Sequence, residues 1–162
     1  IYLSESCNLS SINKDTKGII GEIKVPIITL DKFLENRAFP NLIRMDIEGY
    51  EFQVLKGMEK IFKGGKPLKL LIEFHFHELK KEQSTWMLKI LKKNSFSIKK
   101  AIREPRGMKG HPFLFKRLVN LDERLRGIPT KDCYSDLTID QILKNPKILE
   151  GEWGGWQILF EK

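Results

Sequence analysis

The chain has few of the residues that mark disulfide-rich and membrane-spanning proteins. Its 162 residues include two cysteines, Cys7 and Cys133, which lie far apart and lack the close spacing of metal ligands. A disulfide framework is therefore not expected, and because such a composition fits a reducing compartment, we expect a cytoplasmic protein. The apolar runs fall far short of the roughly 20 residues that a membrane-spanning helix needs. The sequence accordingly predicts no transmembrane segment.

Positive charge is in excess and is unevenly distributed. The chain has 29 Lys and Arg residues against 21 Asp and Glu residues, which gives a net charge of +8. The stretch from Lys80 to Arg126 carries 14 of these basic residues and 4 of the acidic ones. It is either a set of solvated helix faces with a basic loop or a surface that attracts a polyanion. No nucleic-acid-binding motif accompanies the stretch, so nucleic acid is the less expected partner.

The apolar periodicity of the chain changes repeatedly between that of a strand and that of a helix. After a short initial strand and a loop that reaches residue 22, strands are predicted at 24–30, 42–47, 68–76, 96–102 and within 154–162. Helices are predicted at 30–37, at 50–62, at 82–94 and from Thr138, whereas 111–127 is ambiguous between helix and strand. Strands and helices that alternate at about 25-residue spacing indicate βαβ units. We therefore expect one α/β domain over 1–162, with a parallel sheet.

Two predicted interior strands end in ionisable side chains. Asp46 and Glu48 alternate along the chain, so they point to the same side, and Gly49 then allows a sharp turn into the next helix. In the following strand, Glu73, His75 and His77 are every second residue. Because successive side chains of a strand point to opposite faces, these three are expected on one face. Ligands of open parallel sheets bind beyond the carboxyl ends of the strands, and these side chains lie there. Adjacent strands would bring them into one crevice.

Each of these residues also has a structural interpretation. Glu48 suits the first turn of a helix, where a negative charge is favourable, and Asp46 suits a helix cap. His75 and His77 are as readily packed structural histidines as site residues. Glu73, which is flanked by apolar residues, is the hardest of the group to explain structurally.

The segment LDKFLENRAFPNLIRMDIEGYEFQVLKGMEKIF resembles FkbM-type methyltransferases, in which a hydrophobic strand ends in D-x-E-G and E-x-x-V-L-K-G follows. LLIEFHFHE resembles the next strand of that family, and the similarity covers Thr29 to Glu78. The resemblance implies a Rossmann-like class I methyltransferase fold, with a seven-stranded, mostly parallel, doubly wound sheet. Residues 1–28 contain no counterpart of that fold's glycine-rich cofactor loop or of its ribose-binding acid. We therefore expect the chain to be the C-terminal part of the fold, a partial methyltransferase domain.

The same resemblance implies an S-adenosylmethionine cofactor and methyl transfer to a hydroxyl of a sugar, polyketide or similar small acceptor. Asp46 would then lie near the methionine portion of the cofactor or near the acceptor hydroxyl. Glu48, Glu73 or His75 would take the proton of that hydroxyl, and His77 would contact the acceptor. We favour Asp46 and His75 as the pair closest to the chemistry, and this interpretation needs no metal ion.

Two other functions fit the sequence. The side chains that end the two strands are all suitable ligands for a divalent cation, which would orient a diol or activate water in a metal-dependent hydrolase. They are Asp46, Glu48, Glu73, His75 and His77. Alternatively, the chain is a non-catalytic module that binds a polyanion, such as an acidic glycan, through its basic stretch.

Overall fold

The computed structural model describes residues 1–4, 12, 18–104, 132–152 and 155–162. The strands are β1 (Tyr2–Ser4), β2 (Ile19–Glu22), β3 (Leu42–Met45), β4 (Lys69–Phe74), β5 (Ser97–Glu104), β6 (Asp132–Tyr134) and β7 (Gly155–Glu161). The helices are α1 (Leu30–Leu34), α2 (Glu51–Lys56), α3 (Glu59–Lys63), α4 (Lys81–Lys93), α5 (Ile139–Leu143) and α6 (Pro146–Leu149). The predicted α/β class is confirmed. The ambiguous region 111–127 lies outside the described residues.

Five strands form the main sheet, in the order β3-β4-β7-β5-β6. β3 is parallel to β4, with Met45 opposite Ile72, so the two strands are neighbours as expected. The prediction that both are interior is wrong for β3, which lies at the edge of the described sheet. β7 lies antiparallel between β4 and β5, and β6 is antiparallel to β5. The expectation of a mostly parallel sheet is therefore confirmed only for the β3–β4 pair. The cause is the connection through α5 and α6, which crosses over β5 and brings β7 in parallel to β6.

The two faces of the sheet are buried to different extents. Side chains alternate along β4 and β7, and those of one face are fully buried: Leu70, Ile72, Phe74, Trp156, Ile158 and Phe160. The apolar side chains of helices α2 to α6 join the same core cluster. On the opposite face, Glu73 of β4 lies level with Gln157 of β7, and both are half-buried. A doubly wound arrangement stays an expectation.

The prediction of a strand at 24–30 is wrong. Residues 23–29 have no regular structure, and Ile27 and Ile28 are exposed. β2 forms instead at Ile19–Glu22, where it pairs with β1 in a two-stranded antiparallel sheet. Pro26 has no backbone N–H to donate to a neighbouring strand, which explains why an apolar, β-branched segment remains outside a sheet.

The helix predicted at 50–62 is interrupted at Gly57. Gly57 lies against α1, and a Cβ atom there would be 3.2 Å from the Cβ of Thr29. The carboxylate of Asp31 accepts hydrogen bonds from the backbone N–H groups of Lys60 (2.8 Å) and Ile61 (3.0 Å). A residue of α1 therefore caps the start of α3, which fixes the break in the helix.

The later elements agree with the sequence patterns. α4 spans nearly the predicted range, and Thr138 forms the predicted capping box with Gln141 at the start of α5. No helix in the described part of the chain is long and apolar enough to span a membrane.

Candidate active site at the ends of two parallel strands

The chain makes a tight left-handed turn directly after β3. Glu48 has a φ angle of 50° and Gly49 has one of 88°, both in the left-handed region. A Cβ atom on Gly49 would lie 2.7 Å from the Cβ of Glu78, so both the conformation and the contact require glycine. Glu48 is not a glycine, and holding it in this region costs about 1 kcal/mol or more. Such a cost is typical of positions where a side chain must be aimed at a site.

The two strand ends bring Asp46, Glu48 and His75 together. One ligand atom from each of these residues lies within 4.8 Å of the others. The parallel register ends with Met45 opposite Ile72, and Asp46 and Glu73 are the residues that follow these two in the chain. We call Asp46, Glu48 and His75 the strand-end cluster. The sequence predicts a larger group that also includes Glu73 and His77, and the roles of all five residues stay predictions.

A buried carboxylate that the sequence analysis missed fixes the imidazole of His75. Oε1 of Glu51 lies 2.7 Å from Nδ1 of His75 and 3.3 Å from the backbone nitrogen of Gly49. Glu51 has no exposed surface, and its Oε2 has no hydrogen-bond partner among the described residues. Glu51, Leu55 and Met58 share one helical stripe, so a carboxylate on the apolar stripe was the available signal.

The other nitrogen of His75 faces more carboxylates. Nε2 lies 3.4 Å from Oε2 of Glu48 and 3.9 Å from Oε1 of Glu73. Burial lowers the pKa of His75, but the hydrogen bond and charge of Glu51, with the charges of Glu48 and Glu73, outweigh it. The pKa of His75 is therefore raised above its ordinary value.

Asp46 and Glu73 are each held by a neighbour. Arg44 donates to Oδ2 of Asp46 at 2.8 Å, in an ion pair that is partly exposed. Such a surface pair contributes at most about 1 kcal/mol, so it orients Asp46 without burying it. Gln157 donates to Oε2 of Glu73 at 3.2 Å. Glu73 therefore borders the strand-end cluster on the side of β7.

His77 lies outside the strand-end cluster. Its ring centroid is 6.1 Å from that of His75, and its Nε2 is 3.3 Å from Oε1 of Glu78. The backbone of His77 packs on Gly151, where a Cβ atom would come within 2.5 Å of the His77 nitrogen. The close contact fixes the loop after β4, and the role of His77 toward an acceptor stays a prediction.

A cavity of about 540 Å³ lies away from the strand-end cluster, between β6, α5, α6 and the start of β7. None of the predicted site residues lines it; its walls include Tyr134, Asp136, Gln141 and Trp156. The candidate site is therefore an open edge of the sheet and not this cavity.

The basic stretch is described only as far as residue 104. Within that part, three lysines form exposed ion pairs with acidic residues elsewhere in the chain. The pairs are Lys81 with Glu150, Lys92 with Asp140 and Lys99 with Glu161. The described part of the stretch thus agrees with solvated helix and strand faces.

A family model described as the methyltransferase FkbM domain matches residues 3–98, more than half of the chain. The matched range includes β3, β4, the turn between Asp46 and Gly49, and every residue of the strand-end cluster. Comparisons with curated proteins and with solved structures gave no match.

Proposed function

The chain belongs to the FkbM methyltransferase family, and on this premise we propose that it transfers a methyl group from S-adenosylmethionine to a hydroxyl. The acceptor is a sugar, a polyketide or a similar small molecule. The single observation that carries the proposal is the convergence of Asp46, Glu48 and His75 where two parallel strands end. Open α/β sheets bind their ligands at such an edge.

The described residues fit one edge of a cofactor site. S-adenosylmethionine, when bound, supplies a methyl group on a positively charged sulfur. The carboxylate of Asp46, at the end of β3, can accept hydrogen bonds from an amino or hydroxyl group of the cofactor. Between β3 and α4, Gly49 is the one glycine in a turn that leads from a strand into a helix. The described residues contain no glycine-rich loop.

Methyl transfer to a hydroxyl requires that the hydroxyl be held in line and lose its proton. Asp46 and His75 are the pair that we place nearest the reacting oxygen. Nδ1 of His75 is occupied by Glu51, so Nε2 faces Glu48, Glu73 and the open edge. The strand-end cluster and Glu73 together supply the groups that position the hydroxyl and accept its proton.

The test is a transfer assay with S-adenosylmethionine that carries a labelled methyl group. Sugars and other polyhydroxylated compounds serve as acceptors, and the protein is compared with its Asp46→Asn variant. We expect label on an acceptor oxygen and turnover lowered by at least about tenfold in Asp46→Asn. Glu59→Gln, which removes a carboxylate from the surface of α3, is the matched control.

Two outcomes would contradict the proposal. Unchanged turnover in Asp46→Asn, with circular dichroism spectra equal to those of the parent protein, removes Asp46 from the mechanism. Absence of label from every acceptor, together with no binding of the cofactor in calorimetry, rejects the function itself.

A further inference from the structure

We propose that Asp46, Glu48 and His75 bind a divalent transition-metal cation, such as Mn²⁺, which holds two neighbouring hydroxyls of the acceptor. The inference deepens the proposed function, since the part about the acceptor rests on it. The binding site itself rests on the geometry of the strand-end cluster and on the contact between Glu51 and His75.

The distances within the strand-end cluster are close to those of a coordination sphere. Nε2 of His75 and Oε2 of Glu48 are 3.4 Å apart, near the roughly 3 Å between adjacent ligands whose bonds to the metal are about 2.1 Å. One carboxylate oxygen of Asp46, one of Glu48 and one ring nitrogen of His75 all lie within 4.8 Å of one another. The side chains of Asp46 and Glu48 are 34% and 72% exposed, so they can rotate inward, whereas the His75 ring is fixed.

The contact between Glu51 and His75 is the second observation that points to a metal. Histidines that ligate metals usually donate their other ring N–H to a carboxylate, which fixes the tautomer and aims the free lone pair. Glu51 is positioned to accept this bond at 2.7 Å from Nδ1, and it is wholly buried. Nε2 then presents its lone pair toward Glu48 and the open edge. Structural histidines do not require this arrangement.

The balance of charge favours a cation as well. Among the described ion pairs, Glu48 and Glu51 have His75 as their shared partner, and Asp46 has the exposed Arg44. Oε2 of Glu51 is buried with no hydrogen-bond partner in the described part of the chain. A buried carboxylate is costly unless positive charge is close. A divalent cation on Nε2 would supply that charge.

The chemistry of the ligands limits the cation and what it can do. One imidazole with two carboxylates suits Mn²⁺, Fe²⁺ or Zn²⁺ better than the softer Cu⁺. Three protein ligands leave positions open at the exposed edge, where two oxygen atoms of a vicinal diol can replace water. The cation would orient the acceptor as a template, without taking part in a covalent step.

The test measures metal binding in the absence of cofactor and acceptor. The protein is stripped with a chelator and titrated with Mn²⁺, which is followed by electron paramagnetic resonance, and with Zn²⁺ in equilibrium dialysis. We expect one tight equivalent, weakened by at least about tenfold in Glu48→Gln and in Asp46→Asn. Glu59→Gln, an exposed carboxylate paired with Lys63 on α3, should bind as the parent protein does.

A spectroscopic measurement locates the site. The chain has 3 histidines, so their ring nitrogens can be resolved in long-range ¹H–¹⁵N spectra. Zn²⁺ should shift Nε2 of His75 and leave the ring of His77 unchanged. Equal retention of metal by Glu48→Gln, Asp46→Asn and Glu59→Gln, or a shift at His77 in place of His75, would overturn the site.

The role of the cation is tested separately from the methyltransferase activity. If chelator abolishes transfer to a vicinal diol and Mn²⁺ restores it, the template role is supported. If transfer persists undiminished in the stripped protein, that role is wrong, although the proposed function stands. Metal binding without transfer to any acceptor and without binding of the cofactor supports the site and contradicts the proposed function.

Discussion

Nδ1 of His75 lies 2.7 Å from Oε1 of Glu51, a wholly buried carboxylate that is 24 residues earlier in the chain. The contact joins the start of α2 to the loop after β4. It also decides which nitrogen of His75 is available to a ligand.

Two substitutions of Glu51 should distinguish the contribution of its charge to stability from that of its size and its acceptor oxygen. Glu51→Gln keeps an oxygen that can accept from Nδ1, so we expect a loss of no more than about 1.5 kcal/mol in the free energy of unfolding. Glu51→Ala leaves the buried imidazole without its partner and opens a cavity, so a loss of about 3–5 kcal/mol is expected. Urea denaturation followed by circular dichroism measures both. Losses below about 0.5 kcal/mol in both variants would contradict a stabilising contact between Glu51 and His75.

The stability contributed by His75 should depend on pH in the metal-free protein. The pKa of His75 is raised in the folded state by Glu51, Glu48 and Glu73, against the effect of burial. A raised pKa stabilises the fold below the unfolded value of about 6.5, and this contribution is lost as the pH rises through the folded pKa. The stability difference between the parent protein and His75→Gln should therefore shrink as the pH rises. Urea denaturation at several pH values, with chelator present, checks this, and a difference that grows instead would contradict the prediction.

Gly49 should be far less tolerant of alanine than Gly65. Both have positive φ angles, but a Cβ atom on Gly49 would meet Glu78 at 2.7 Å, whereas one on Gly65 would meet nothing within 4 Å. Gly65→Ala should cost about 1 kcal/mol, from backbone conformation alone. Gly49→Ala should cost about 2–3 kcal/mol more, because the turn must move. Thermal unfolding of the two variants measures the difference, and similar melting temperatures would mean that the contact with Glu78 is not restrictive.

Asp31, a residue of α1, should contribute to stability by capping the start of α3. Its two oxygens accept from the backbone N–H groups of Lys60 and Ile61 at the start of α3. Asp31→Ala leaves both groups without this acceptor and should cost about 1–2 kcal/mol. Asp31→Asn retains one acceptor oxygen and should cost less. Urea denaturation measures the free energy of unfolding of both variants. An equal loss in Asp31→Asn and Asp31→Ala would contradict the role of Asp31 as a cap.

The family is supported independently of the structure. The motif D-x-E-G at Asp46 to Gly49 was the strongest signal in the sequence, and the family match extends beyond the predicted range of similarity to residues 3–98. The cofactor, the acceptor and the roles of Glu73 and His77 rest on the proposal and on the assays given with it.

The sequence by itself determined the local features of the candidate site. The order of apolar and acidic residues predicted that Asp46 and Glu48 follow the end of a strand, and helical periodicity located α4. The capping box between Thr138 and Gln141 was also readable from spacing. These features follow from bond geometry over a few neighbouring residues, which any segment with that pattern shares.

The tertiary structure decided the features that join distant segments. It inserted β7 antiparallel between β4 and β5, and it left the apolar segment around Pro26 outside a sheet. It also placed the buried carboxylate of Glu51 against His75. The strength of each such contact depends on burial and on strand order, which are set by the packing of the whole chain. For that reason the sequence predicted Asp46, Glu48 and His75 only within a larger group that included His77, and it did not predict Glu51, which holds the imidazole in place.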